Sequence, residues 1–536
     1  MAKRFVVLCG LLWGLSTSPL ICGAQSTQES SSPGPSAHLG KVDFPTSCSA
    51  QVQPVFEKAV ALMHSFQYQE AQQSFDEAAA REPNCAMAHW GKAMVLREQL
   101  WTLPDKQALK NAHKECQIAE KLHPGTPKEQ GFVAAAAAYY QKNSHLSYTD
   151  RTKAYSAELA KLHERLPDDV EVGSFYALSL LSLAEEDVDS LENQKKAIAI
   201  LQPLLEKYPD HPGVAHYLIH AADRPELAAQ GLEAARRYAA IAPDSPHALH
   251  MPSHIFVRLG LWQDSITSNI ASEASAARLA AEHKAESHYQ THAMDFLNYS
   301  YVQSGQEAKA REVITHMDHV VGADAGTRTE HRLYLQARTA LDLHRWKEAA
   351  ALQDPPLRAD QLDTARWARA IGAARIGDLA TAEAAVSSLA DSVAERERRA
   401  RKSGYTVSKE KATDLAEAQA WLAFANGKTE DALQELRQAA ERQERNGGEG
   451  VGIPAREMLA DMLLELKRPR EALAEYRTVL KNAPNRFDAL LGAARAAHAI
   501  GDTNESQTLY AKLAEECPPG ADRPELTEAR TATAQK

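Results

Sequence analysis

Apolar positions along this chain fall into helix-sized stretches, and the stretches are cut at regular intervals. Residues 55–84, VFEKAVALMHSFQYQEAQQSFDEAAAREPN, show the unit: two amphipathic stretches, with Ala71, Phe75 and Ala78 sharing one face of the second and Pro83 ending it. Residues three and four apart lie on one face of a helix, so this spacing predicts a helical hairpin. A second unit opens at CAMAHWGKAM (85–94), and weaker ones at HRWKEAAAL (344–352) and GDLATAEAAV (377–386). Ala349 and Ala382 are 33 residues apart, while Ala472 to Ser506 and Pro484 to Pro518 are both steps of 34. Aromatic residues make up only 6% of the chain and β-branched runs are scarce. The expectation is an all-α protein of stacked hairpins. Such a solenoid needs no single large core, because each unit packs on its neighbours.

A period of 34 is that of the tetratricopeptide (TPR) repeat, so the expected architecture is a TPR-type α-solenoid of roughly a dozen helix pairs from about residue 45 to 518. Its predicted parts are N-terminal TPR-like repeats over 44–206, central repeats over 207–320, degenerate ones over 321–450 and regular C-terminal ones over 451–518. The charged stretch 391–411 is expected to be a helix end plus an exposed loop. The small, polar tail 519–536 is expected to be disordered.

The first 24 residues have the order of a signal peptide: basic Lys3 and Arg4, apolar Phe5 to Leu15, then small residues up to a cleavage site after Ala24. Residues 25–43, rich in Ser, Gly and Pro, are expected to be a flexible linker. No later stretch is apolar for long enough to span a membrane. The expected location is periplasmic or secreted. Without residues 1–24 the balance is 58 basic against 71 acidic groups, and net charge moves from −11 to −13. That argues against nucleic acid as a partner. In an oxidising compartment Cys48 and Cys85 are the favoured disulfide, which would tie the incoming segment to the first repeat.

The candidate chemistry lies in the central repeats. His216 and His220, His250 and His254, and His288 and His292 are three pairs spaced i, i+4, and the first two pairs are 34 residues apart. The step to the third is 38. Each pair falls on a predicted first helix, the kind that lines a solenoid's concave groove, so six imidazoles are expected to point inward. Asp223 and Asp295 each follow three residues after a pair and continue the stripe. His247 and His64 are further candidates. Crowded imidazoles resist protonation, and the neutral ring is the form that ligates metals. With no thiolate nearby the set suits Zn, Cu, Ni or Fe. If the centre were catalytic, Asp223 or Asp295 would be a ligand or general base. Two other readings stay open: a polar groove for a peptide or partner segment, and structural hydrogen bonding. HExxH, GxSxG and CxxC motifs are all missing from the sequence. Trp90, Trp101 and Trp262 are expected to pack helix crossings. Met87, Met94 and Met251 are expected to fill the core, and His316, His319, His331 and His344 to lie at the surface or at repeat boundaries.

Three phrases carry a family resemblance: LMHSFQYQEAQQSFDEAAAREPNCAMAHWGKAM (62–94), HPGVAHYLIHAAD (211–223) and HALHMPSHIFVRLGLWQDSITSN (247–269). PAREMLADMLLELKRPREALAEY (454–476) is similar to the last repeats of the same family. The chain resembles a bacterial family of exported TPR proteins with no established activity. That resemblance implies fold and export, and says almost nothing about chemistry. His89 departs from the family pattern, where a Tyr is expected before Trp90.

Overall fold

The computed structural model describes residues 38–98, 104–142, 146–184, 190–282, 286–403, 409–448 and 450–534. The expected leader (1–24), most of the expected linker and Trp101 lie outside them. Among the described residues there are 26 α-helices and three short 3-10 turns, and no strand. Successive helices pack chiefly on one another in chain order, as hairpins of a solenoid do.

Small residues make these crossings possible. Ala71, Phe75 and Ala78 are all fully buried on helix Tyr68–Arg81. Gly91 takes the Phe75 ring where a Cβ would stand, its ideal position only 2.2 Å from the ring. Gly492 receives the Tyr476 ring in the same way near the other end. Trp90 anchors an aromatic core with Phe44, Phe56, Phe132 and Phe175. Met87, Met94 and Met251 are buried in the core.

Several expectations are corrected. The linker 25–43 is not loose at its end: Leu39 and Phe44 are buried, and the Lys41 amide donates to the Asp210 carbonyl at 2.9 Å. The chain is fastened beside them by the Cys48–Cys85 disulfide. The charged stretch from 391 forms the end of helix Leu379–Ser403, and residues 404–408 after it lie outside the described residues. Arg396 in it turns inward to the buried Asp363. The tail 519–536 forms helix Leu526–Ala534, because Leu526 and Ala529 supply a buried face that a polar average conceals. At the weak unit 344–352 the second helix, Trp346–Ala350, is only five residues long, and Pro355 and Pro356 follow soon after it.

The units also do more than pack on neighbours. Trp262 Nε1 donates to the Asn485 carbonyl at 3.0 Å, and the amides of Asp522 and Arg523 both donate to the Gly305 carbonyl at 3.0 Å. Buried Arg486 donates to Glu457, to Asp342 at 2.7 Å and to the Tyr299 hydroxyl at 2.8 Å. The C-terminal repeats are thus seated against the central ones. No described helix is long and apolar enough to cross a membrane.

Candidate metal centre

Three first helices hold the histidine pairs. Helix Pro212–Ala222 begins with Pro212 at its first turn, under a His211 cap whose Nδ1 accepts from the Val214 amide at 3.2 Å. The second is split: Pro246–His250 stops at Met251, and Pro252–Arg258 follows. Pro252 cannot donate back along the helix, so the ladder breaks between the two histidines. The third is His288–Gln303. Helix Trp262–Ala281 between the last two is 20 residues long, which accounts for the longer step of 38.

The three pairs do not form three equal sites. Instead a pair from one helix is joined by one histidine from the next, giving two triads: His216, His220 and His247, and His250, His254 and His292. Within each, one ring nitrogen per residue lies within 4.8 Å of the others. His216 Nε2 is 3.0 Å from His220 Nε2 and 3.0 Å from His247 Nε2, and His250 Nε2 is 3.1 Å from His254 Nε2. His292 completes the second triad, its ring centroid 4.4 Å from that of His250.

The opposite edges of these rings are held. His216 Nδ1–H donates to the His64 carbonyl at 2.6 Å. His250 Nδ1–H donates to Asn269 Oδ1 at 2.7 Å, and Asn269 Nδ2 donates to the Ser265 carbonyl, which fixes the amide's orientation. His254 Nδ1–H donates to Asp223 Oδ2 at 2.9 Å, and Arg258 Nε donates to Asp223 Oδ1 at 2.9 Å. With Nδ1 protonated, the neutral ring carries its lone pair on Nε2. In the second triad the lone pairs of His250 and His254 therefore converge at 3.1 Å, and in the first His216 turns its lone pair toward His220 and His247.

Electrostatics favours the neutral form of His216, His220, His247, His250 and His292. Burial holds His216, His247 and His250 well below the ordinary pKa of 6.5, and neighbouring histidines add repulsion. Burial, with repulsion from His254, takes His220 to about 3. His292 is open to a cavity by surface area yet enclosed by protein on its other sides, and that surrounding mass lowers its pKa too. Burial opposes ionisation of Asp223, but the Arg258 charge and the His254 hydrogen bond outweigh it and hold the carboxyl below its usual range.

Four expected positions are corrected. His288 is exposed at the first turn of its helix and turns to Glu286 at 3.2 Å, outside both triads. His247 takes the place expected of a paired histidine. Asp223 and Asp295 face arginines, Arg258 and Arg338, so neither is an available ligand or base. His64 is not in a groove but fully buried: its Nε2 donates to Glu171 at 2.9 Å and its Nδ1 accepts from the Tyr217 hydroxyl at 2.9 Å. His211 Nε2 donates to the other Glu171 oxygen at 3.0 Å. The sequence reading missed Glu171 and His211. The available signal was a lone acid in the apolar helix Val170–Ala184. Every nitrogen and carboxylate oxygen in that third cluster has a partner, so it serves as a buttress, and the His64 carbonyl it steadies anchors His216. His331, expected at the surface or at a repeat boundary, lines the cavity. His89 packs with Nδ1 at 2.6 Å from Glu115.

Both triads open onto one cavity of about 1030 Å³, which His247, His254 and His292 line together with Phe66, Tyr289 and Tyr334. Phe66 roofs the first triad, stacked on His220 and His247 with centroids 5.6 and 5.5 Å away. Its φ of +55° is in the left-handed region, held there by a turn whose carbonyl accepts from Tyr289 Oη at 3.0 Å.

Residues 56–124 and 457–521 match the tetratricopeptide repeat family model. No curated protein sequence matches the chain. Among solved structures, yeast Tom70 is 13% identical, covering 90% of this chain and 96% of its own, with a TM-score of 0.33. A human IFIT1 dimer with PPP-AAAA is 12% identical, covering 85% and 89%, with a TM-score of 0.37. The same dimer with m7Gppp-AAAA is 14% identical over 85% and 94%, at 0.35. The chain is an all-α solenoid that carries tetratricopeptide repeats, with two histidine triads on its central units.

Proposed function

We propose that this protein binds transition-metal ions at the two triads, His216–His220–His247 and His250–His254–His292. The observation that carries the reading is the pair His250 and His254. Both Nδ1 protons are committed, to Asn269 and to Asp223, so two Nε2 lone pairs face each other 3.1 Å apart. Two acceptors at that distance repel unless a proton or a cation lies between them. Metal–nitrogen bonds of about 2.0–2.1 Å set neighbouring ligand nitrogens about 3.0–3.4 Å apart. The held Nδ1 edges are the outer-shell support that metal-binding imidazoles use. An all-imidazole set suits Cu, Zn, Ni or Fe, while Mg and Ca prefer oxygen ligands.

We further propose that the protein works outside the cytoplasm, periplasmic or secreted. The signal-like N-terminus and the Cys48–Cys85 disulfide support this.

The test is elemental analysis of the full chain purified from its native compartment, beside a His250→Ala/His254→Ala double variant. One or two equivalents of a transition metal, reduced in the folded variant, support the proposal. A metal-free wild-type chain that also fails to take up added Cu, Zn, Ni or Fe ends it. The remaining reading would then be a scaffold that holds a peptide or partner segment in the cavity.

A further inference from the structure

We infer that the two triads form one paired copper centre, whose ions share a small bridging anion at the head of the cavity. This rests on the metal reading and deepens it. The triads are not independent sites along a groove. Helix Pro246–His250 contributes to both, His247 to one and His250 to the other, with ring centroids 6.5 Å apart. His247 of the first triad and His254 and His292 of the second also line the same cavity, so both triads are open to one ligand space.

Charge selects the metal. All six donors are neutral imidazoles. Asp223 and Asp295 are already balanced by Arg258 and Arg338, and the cavity's other carboxylates, among them Glu70, Glu286 and Glu330, belong to neither triad. Two divalent ions would put four positive charges side by side with no carboxylate in either triad, and like charges at short range repel. Copper relieves this in both of its states. As Cu(I) the pair carries half that charge, and as Cu(II) a hydroxide-sized anion between the ions neutralises part of it. Copper also binds nitrogen sites more tightly than the other first-row divalent metals. An iron site of two histidines and a carboxylate is not built here, because neither aspartate is free to join. The rest of the cavity leaves room for the bridging ligand without displacing a side chain.

The test uses the full chain, stripped with a chelator and titrated without oxygen with Cu(I), then oxidised, with Zn(II) as a parallel titrant. Two coppers per chain are expected, bound more tightly than zinc. The oxidised form should show an electron paramagnetic resonance signal far smaller than its copper content, because the two spins couple. His247→Gln and His292→Gln each alter one cavity-facing ligand, with folding checked by circular dichroism. Each should hold one copper with its full signal. Added azide should change the copper absorption of the wild type and leave either variant far less altered. Two coppers that both give full, separate signals overturn the pairing. Zinc bound as tightly as copper overturns the choice of metal. A folded chain that binds none of these ions overturns the metal reading itself.

Discussion

An imidazole has two nitrogens, and whatever holds one decides what the other can do. In the second triad that decision falls to Asn269 and Asp223, which commit the Nδ1 protons of His250 and His254. Asp223→Asn keeps an acceptor but removes the charge that Arg258 faces. Metal affinity at His250–His254–His292 should fall about 10–100-fold, as for other outer-shell changes. A competition titration that finds both triads unchanged would refute the assignment. The histidines also set a pH dependence. His64, His216, His220, His247, His250 and His292 all have folded pKa values below the ordinary 6.5. Below pH about 6.5 the unfolded chain therefore binds more protons than the folded one, so folding stability falls as pH drops. The melting temperature of metal-free protein should be level above pH 7 and decline through pH 6 and 5. Bound metal should delay the decline. A flat profile from 7 to 5 would mean these rings are not held neutral.

At the scale of helices, the sequence pattern identified first helices correctly but could not give their offsets. A pair on one helix meets a single histidine on the next, His247 for the first pair and His292 for the second, and His288 joins neither. Close approach decides such details. Helix Pro212–Ala222 crosses helix Gln53–His64 at Gly213, where a Cβ would stand 2.4 Å from His64 Nδ1. Gly213→Ala should lower stability by about 1–3 kcal/mol through overpacking. It should also loosen the first triad, because the His64 carbonyl that anchors His216 must shift. Chemical denaturation and copper titration of the same variant would read both effects, with the second triad as the internal control.

For the whole molecule, closure of distant units matters more than the repeat alone implies. Buried Arg486 joins Glu457, Asp342 and Tyr299, and so ties the C-terminal repeats to the central ones. Arg486→Met leaves buried carboxylates unpaired and should reduce stability by about 3–5 kcal/mol. Arg477→Met, which removes a solvent-exposed ion pair with Glu505, should cost less than about 1 kcal/mol. Equal effects in thermal melts would show that the closure is not energetically significant. The Cys48–Cys85 bond spans a separation of 37 residues. On a loop-entropy estimate its reduction should cost about 4 kcal/mol, measurable as a lower denaturation midpoint in reductant.

Periodicity is a local property, so the sequence by itself determined the all-α class, the hairpin unit, and the set of central helices that carry histidines. Ala71, Phe75 and Ala78 occupy the buried face their spacing predicts, because helix geometry alone puts them there. The tail helix at 526 escaped notice because a short apolar face disappears in a polar average. Which histidines meet was not legible, since convergence depends on the axial offset between helices far apart in the chain. Glu171 reaches His64 across 107 residues and His211 across 40, and Arg258 reaches Gly447 across 189. Only the packed structure sets those distances. It turned three expected pairs into two triads on one cavity, and it gave both aspartates to arginines instead of to a metal.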